Sequence, residues 1–335
     1  MATRTVLMLV AFLCGALSSS ALPAMKIKLG SVVPRDSHWD RGLRQIAAEW
    51  HAASGGSLTL TIYPGGVAGD ELDIIRKMRI GQIDAAALSA MGLNTVYSGV
   101  ASVVLPSLVR TDAELRYVLT QMRPFLEQEL QKRGYKVILW TSVGWVYFFA
   151  RYPVLVPEDL QRLKLFVMSG DSDKVSAWQA AGFNVVPLGT TDILTSLQSG
   201  LVDAMAVPPL IAAAYQWFAI ASNMTEFRWA PLIGAVVIRM KTWQRIDSDL
   251  RHELLSVARR HEAQMWAQTE QVEQQALQIM QANGLTVHPI PQGVRQRWET
   301  LLVDGSDALI GKSFDEQAYS LAKGFLDEYR RREHR

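Results

Sequence analysis

The sequence predicts an α/β protein of two lobes, each built on a mixed, mostly parallel sheet, with a cleft between them. Three observations support this. Residues 26–88 read strand, helix, strand, helix, strand, and a second alternating block fills residues 163–207. Asp247 to Ala282 holds no proline or glycine and is rich in Ala, Gln, Glu, Leu and Arg, the composition of a long helix. Strands and helices that alternate in this order pair in parallel and place the helices on the sheet faces. Ligands bind in the clefts that such lobes leave, where strand C-termini and helix N-termini converge.

The elements follow in order. Lys26 to Val32 alternates as a strand does, and Ser37 can cap a helix to about Ala53 with Ile46, Ala47 and Trp50 on one face. Leu58 to Tyr63 is a second strand, ended by Pro64-Gly-Gly66. Asp70 opens a helix with Leu72, Ile75 and Met78, and its acids Asp70, Glu71 and Asp73 read as complements to the helix dipole. Ile83 to Leu88 is a third strand, and a helix covers Thr111 to Arg133. Tyr135–Thr141 and Val146–Arg151 read as two strands. The second block holds strands at Leu163–Met168, Val185–Leu188 and Val202–Val207, with helices at Asp171–Ala181 and Thr191–Ser199 between them. Asp247 to Ala282 is either one helix of about 50 Å or two with a kink. Thr286 to Pro291 and two terminal helices complete the chain.

Composition narrows the function. The 335 residues are 49% hydrophobic and 20% charged, which is a globular balance. A net charge of +2, with no basic stripe beyond the tail Tyr329–Arg335, gives no footing for a nucleic-acid partner. At the N-terminus Arg4 precedes an apolar run from Val6 to Leu17, then small residues to Ala24, so residues 1–24 read as a secretory signal peptide. The run is too short to span a bilayer. Cys14 is the only cysteine, and Phe12-Leu13 before it are too bulky for a lipoprotein processing site. The mature chain then has no disulfide, no thiol nucleophile and no cysteine metal site. The six histidines show no metal-ligand spacing. Pro64 to Asp70 is glycine-rich but lacks the Lys-Ser/Thr of a phosphate loop, and no Gly-x-Ser-x-Gly occurs. No catalytic residue, metal or cofactor is predicted.

Several segments share the pattern of one family. Leu60-Thr-Ile-Tyr-Pro-Gly-Gly-Val-Ala-Gly-Asp70 is a strand, turn and helix start; Met78-Arg-Ile-Gly-Gln-Ile-Asp84 steps into a strand; Leu105-Pro-Ser-Leu108 is a turn. Pro157-Glu-Asp-Leu-Gln-Arg-Leu-Lys-Leu165 and Leu197-Gln-Ser-Gly-Leu-Val-Asp203, with Pro208 beyond, follow in the second block. Together these resemble the solute-binding proteins of TRAP (tripartite ATP-independent periplasmic) transporters, of the dicarboxylate-receptor type. The resemblance runs from about Lys26 to Gly324. It implies a type II-like periplasmic binding protein fold with a lobe-bridging helix. Lobe I would cover 25–143 plus about 210–250, and lobe II 144–209 plus about 251–335. It further implies a periplasmic, non-enzymatic receptor serving a small and a large membrane subunit, in some systems with an accessory periplasmic protein.

Four positions depart from the family's pattern. The arginine that clamps a ligand carboxylate falls on Phe166, and the asparagine before the later proline falls on Val207. A second arginine falls near Val146, and a polar residue after the first strand falls on Val32. A guanidinium grips a carboxylate with two parallel hydrogen bonds, which a benzyl ring cannot do. An unpartnered buried carboxylate would cost several kcal/mol, whereas apolar ligand surface gains roughly 25 cal/mol per Å² buried. The expected ligand is therefore apolar or neutral, lipid-like or aromatic. Trp39, Met91, Leu93, Trp145, Phe148, Met168 and Tyr215, with Ser89, Thr190 and Pro208, stand at strand ends or following loops as further lining. Two alternatives stay open: an acid held by a relocated Arg35, Arg151, Arg228 or Arg239, or a scaffold or sensor that keeps the fold.

Overall fold

The structure, a computed structural model, describes residues 25–333. The signal peptide expected over residues 1–24 lies outside them. The first block is β1 (Met25–Ser31), α1 (His38–Ala53), β2 (Leu58–Tyr63), α2 (Glu71–Arg79) and β3 (Ala85–Ser89), with β1 parallel to both β2 and β3. Ser37 and Asp70 cap their helices, taking the backbone N–H of Asp40 and of Asp73. Then come α3 (Ala90–Asn94), a 3-10 turn at Val100–Val104, α4 (Asp112–Lys132) and β4 (Tyr135–Ala150). The second block is α5 (Pro157–Gln161), β5 (Lys164–Met168), α6 (Ser172–Ala180), β6 (Asn184–Leu188), α7 (Ile193–Ser199) and β7 (Ala204–Val207). The chain ends with α8 (Pro209–Ala214), β8 (Asn223–Glu226), β9 (Ala230–Arg239), α9 (Met240–Trp243), α10 (Ser248–Ala282), β10 (Thr286–Pro289), α11 (Val294–Asp307) and α12 (Glu316–Glu333).

The strands lie in the order β2-β1-β3-β9-β4-β7-β5-β6, with β8 paired to β4 and β10. Every antiparallel pairing among them involves β4 or β9. Strand β4 corrects the sequence reading: it is one strand of 16 residues, not two. Its residues 135–146 pair with β9 in the first sheet, and 147–150 with β7 in the second. The sequence looked broken because the register slips between Ser142 and Gly144, where Gly144 takes φ +106°. A Cβ there would also lie 2.1 Å from Glu273 Oε2, so only glycine fits both the bend and the helix above it.

That helix, α10, is continuous over 35 residues, roughly 50 Å. It buries Leu254, Val257 and Ala258 against the first sheet, Met265 and Ala276 with Trp39, Val143 and Leu210 in the middle, and Met280 in the second lobe's core. Sheet membership puts β8 in the second sheet, and α12 packs on the first-lobe core beside α4, so both cross the lobe boundaries expected from sequence. No helix of the described residues is long and apolar enough to cross a membrane.

Glu273 sits where α10 crosses the bend in β4. Burial pushes its carboxyl up to about 7 and Asp112 adds to this, while the Trp145 N–H and the Arg228 guanidinium oppose it. A carboxyl raised on folding holds its proton in the native state only, so its contribution is full below the unfolded value of 4.5 and lost as pH rises through about 7. Relative to Glu273→Gln, the wild type should therefore lose about 2 kcal/mol of stability between about pH 4.5 and pH 8. Urea denaturation of both proteins across that range checks this; parallel curves would show that Glu273 does not titrate there.

Candidate functional site

A cavity of about 280 Å³ lies between the two sheets, at the C-terminal ends of the parallel strands. Val32 enters it just after β1, Ser89 and Met91 where β3 turns into α3, and Val146 from β4. Phe166 and Met168 come from β5, Val207 and Pro208 from the end of β7, Thr190 from the turn before α7, and Tyr215 from the end of α8. Ten of the fourteen residues singled out from sequence therefore meet on one cavity.

The other four are packed elsewhere. Trp39 is buried with Val143, Leu210 and Met265. Trp145 is buried in the first-lobe core, its indole N–H donating to Asp112 at 3.0 Å and its ring beneath the Arg228 guanidinium at 4.7 Å. It neighbours Val146, and alternation along a strand sends only one of two neighbours to a given face. Phe148 lies behind the lining, stacked on Trp229 at 5.6 Å and against Trp298 at 5.0 Å. Leu93 is likewise core. The four candidate arginines do not line the cavity: Arg35 is exposed, Arg151 faces Asp203 at 3.7 Å, Arg228 covers Trp145, and Arg239 faces Asp84 at 3.9 Å.

Two charged residues that sequence reasoning did not place there line the cavity. Glu71 is buried and accepts the backbone N–H of Ser89 at 2.6 Å and its hydroxyl at 2.7 Å. Burial pushes its carboxyl up, against the pull of these hydrogen bonds. The signal was present: Glu71 shares one helical stripe with Ile74, Ile75 and Met78, the other buried residues of α2. Lys174 is the second. On α6 it forms one face with Ala177 and Trp178, continued by Ala181, and all four line the cavity. No residue of α6 is fully buried, because its apolar face meets the cavity and not a solid core. Burial pushes the Lys174 ammonium down, and Asp171 at 3.4 Å opposes this. On the opposite wall, the Tyr215 hydroxyl donates to the Val32 carbonyl and its ring stacks on Trp217 at 4.5 Å. Burial, then the nearby Glu71, push this phenol up. Among the described residues no three His, Cys, Asp or Glu side chains gather as a metal set.

Residues 29–305 match the family described as bacterial extracellular solute-binding protein, family 7. The chain belongs to that family. It is the family of TRAP receptors, whose members bind small molecules and work with membrane components of a transporter. The chain is 24% identical over 251 residues to the 2,3-diketo-L-gulonate-binding periplasmic protein YiaO of Escherichia coli, covering 72% of this chain and 74% of that one. It is 22% identical over 275 residues to the C4-dicarboxylate-binding periplasmic protein DctP of Vibrio cholerae, covering 81% and 82%. In fold it is similar to the sugar acid binding protein DctPAm of Advenella mimigardefordensis in complex with galactonate, with TM-score 0.85, 16% identity and coverage of 92% and 99%. It is also similar to a TRAP periplasmic solute-binding protein of Desulfovibrio salexigens with bound orotic acid, with TM-score 0.83, 19% identity and coverage of 91% and 99%. The two-lobed periplasmic binding fold expected from sequence is thus the fold observed.

Glu71 gives the site a direct test of its framework. Glu71→Ala strands the Ser89 N–H beside the cavity and should cost about 3 kcal/mol, while Glu71→Gln, which keeps one acceptor, should cost less. Chemical denaturation checks both, and an Ala variant within about 0.5 kcal/mol of wild type would rule out a structural role for the carboxyl.

Proposed function

We propose that this chain is the periplasmic receptor of a TRAP transporter and captures a small molecule with a mainly apolar body in the cavity between its lobes. The observation that supports this most is the company kept by Phe166. Val32, Val146 and Val207, the other positions at which the family resemblance leads one to expect polar side chains, line the same cavity. Met91, Met168 and Trp178 extend the apolar wall. Methionine and aromatic side chains make adaptable apolar surfaces. The relatives named above bind acids and sugar acids, but at such low identity the likeness carries the fold and not the ligand. A polyhydroxylated acid would leave most of its hydroxyls facing carbon in this cavity, at a cost for each unpaired group.

The protein reaches the periplasm through the leader at residues 1–24 and hands its ligand to a small and a large membrane subunit, with an accessory periplasmic protein as a further candidate partner. Its role is capture and delivery, as in the family, and Glu71, the carboxyl of the cavity lining, is already committed to Ser89. A second reading, an acid receptor with a relocated cation, is favoured by one observation, the presence of Lys174 in the lining.

Native mass spectrometry of protein purified from a periplasm, with solvent extraction of what it carries, tests the proposal. A co-purifying molecule with an apolar body is expected, and Phe166→Arg should weaken its binding about tenfold or more. Titration calorimetry showing tight binding of galactonate or a C4-dicarboxylate, with no apolar molecule extracted, would overturn it.

A further inference from the structure

We propose that the solute is an amphiphilic monocarboxylate whose acid group sits at Lys174, at the neck between the apolar cavity and a second, polar chamber. This deepens the receptor reading above and rests on it. The second chamber, about 270 Å³, is lined by Asn94, Ser98, Ser313 and Lys312 and by the carboxylates Asp171 and Asp173, so an anion is favoured beside Lys174 and not deeper in this chamber. It shares Met91, Met168 and Lys174 with the first cavity, so these three side chains stand at the border between an apolar space and a more polar one. Lys174 is the cation common to both.

The hydrogen bonding at the neck favours an anion. Asp171 Oδ1 already accepts the Ser313 hydroxyl at 2.6 Å and the Lys174 backbone N–H at 3.0 Å, leaving Oδ2 to face Lys174 Nζ at 3.4 Å. The other neighbours of the ammonium are the Met91 sulfur at 3.6 Å and the Phe314 ring at 5.4 Å, both poor substitutes for an oxygen acceptor. An ammonium has three donors, so it retains capacity for a carboxylate.

The indole N–H groups of Trp217 and Trp229, two residues of the cavity wall, find no acceptor among the described residues, but both nitrogens are buried away from the cavity space and offer a bound ligand nothing. Glu71 offers little in return, since both its oxygens are taken by Ser89. Lys174 is the charged donor with spare capacity in the lining, while the hydroxyls of Thr190, Tyr215 and Ser306 add neutral polar groups. A ligand with an apolar body and one anionic group fits such a lining. A carboxylate on an apolar body is one; an amine or a polyol is not.

Calorimetric titration of the mature protein with matched pairs, octanoate against octanamide and 3-phenylpropanoate against 3-phenylpropanamide, tests this, with galactonate as the polar acid. Each acid should bind about tenfold or more tighter than its amide. Lys174→Met should abolish that preference, and Lys174→Arg, which keeps the charge, should retain it and guards against a folding defect. Equal binding of acid and amide would overturn the head-group assignment while leaving the apolar-body receptor standing. An acid preference that survives in Lys174→Met would place the anion elsewhere. Binding of galactonate alone would overturn both readings.

Discussion

Strand β4 is hydrogen-bonded in both sheets, and the position of everything between the lobes depends on it. A strand that pairs with β9 over most of its length and with β7 and β8 at its end cannot change lobe without a bend. The bend is the bulge at Ser142–Gly144, and its left-handed glycine leaves room for the Glu273 carboxyl above it. Helix α10 then lies across the same point and buries side chains in the cores on both sides. Two continuous elements thus fix how the parallel strand ends face each other. The cavity forms where β1, β3, β5 and β7 all stop, and β4, the start of β9 and the stretch from α11 to Phe314 pass beside it.

The chemistry of the cavity follows from which side chains those strand ends present. In the two-lobed architecture a ligand is desolvated on all sides, so each polar group it carries needs a partner. Phe166, Val146 and Val207 supply none. Fixed charges enter the lining at Glu71 and Lys174, and they are handled in opposite ways. Glu71 is bound twice by Ser89 and helps to hold the start of α3 in place. Lys174 is held loosely, by a long ion pair and a thioether. The first is framework, while the second is free to serve a ligand.

Much of this was legible in the sequence, and the misses have physical reasons. Caps at Ser37, Asp70, Thr111 and Asp171 were readable because a side chain that takes an N–H two or three residues ahead is a local event. Of the ten lining residues, Val32, Val146, Phe166 and Val207 were placed by the family resemblance, and the others by standing at strand ends or in the loops that follow, which are local too. What failed was non-local. Gly144 looks like a strand break unless one knows that two sheets share the strand. Trp145 and Phe148 were misplaced by facing and by depth, which alternation alone does not set once a bulge intervenes. Lys174 escaped because a lysine in a helix's first turns ordinarily points to water, and only the empty space beside α6 turns that face inward. Glu71 was the avoidable miss, since its stripe with Ile74, Ile75 and Met78 was present in the sequence.

The contacts across the cleft say why ligand position matters more than ligand affinity. A molecule that touches one lobe only binds the open and closed arrangements equally and shifts neither. Here the wall is divided: Val32, Ser89 and Met91 come from the first block, while Phe166, Lys174 and Val207 come from the second. The links between them include hydrogen bonds and close packing, such as Leu72 against Gly170 and Thr191 against Gly66. The Tyr215 hydroxyl reaches the Val32 carbonyl, and the Ser313 hydroxyl reaches Asp171, one turn from Lys174. At Gly189, which precedes α7, a Cβ would come within 2.7 Å of the Asp70 carboxylate, so even one added methyl would press on the closed arrangement. A solute whose body touches both walls, and whose acid group neutralises the ammonium beside Met91 and Phe314, adds contacts that exist only when the lobes are together. Its binding energy is then spent on closure, the state a membrane partner can distinguish from the empty receptor.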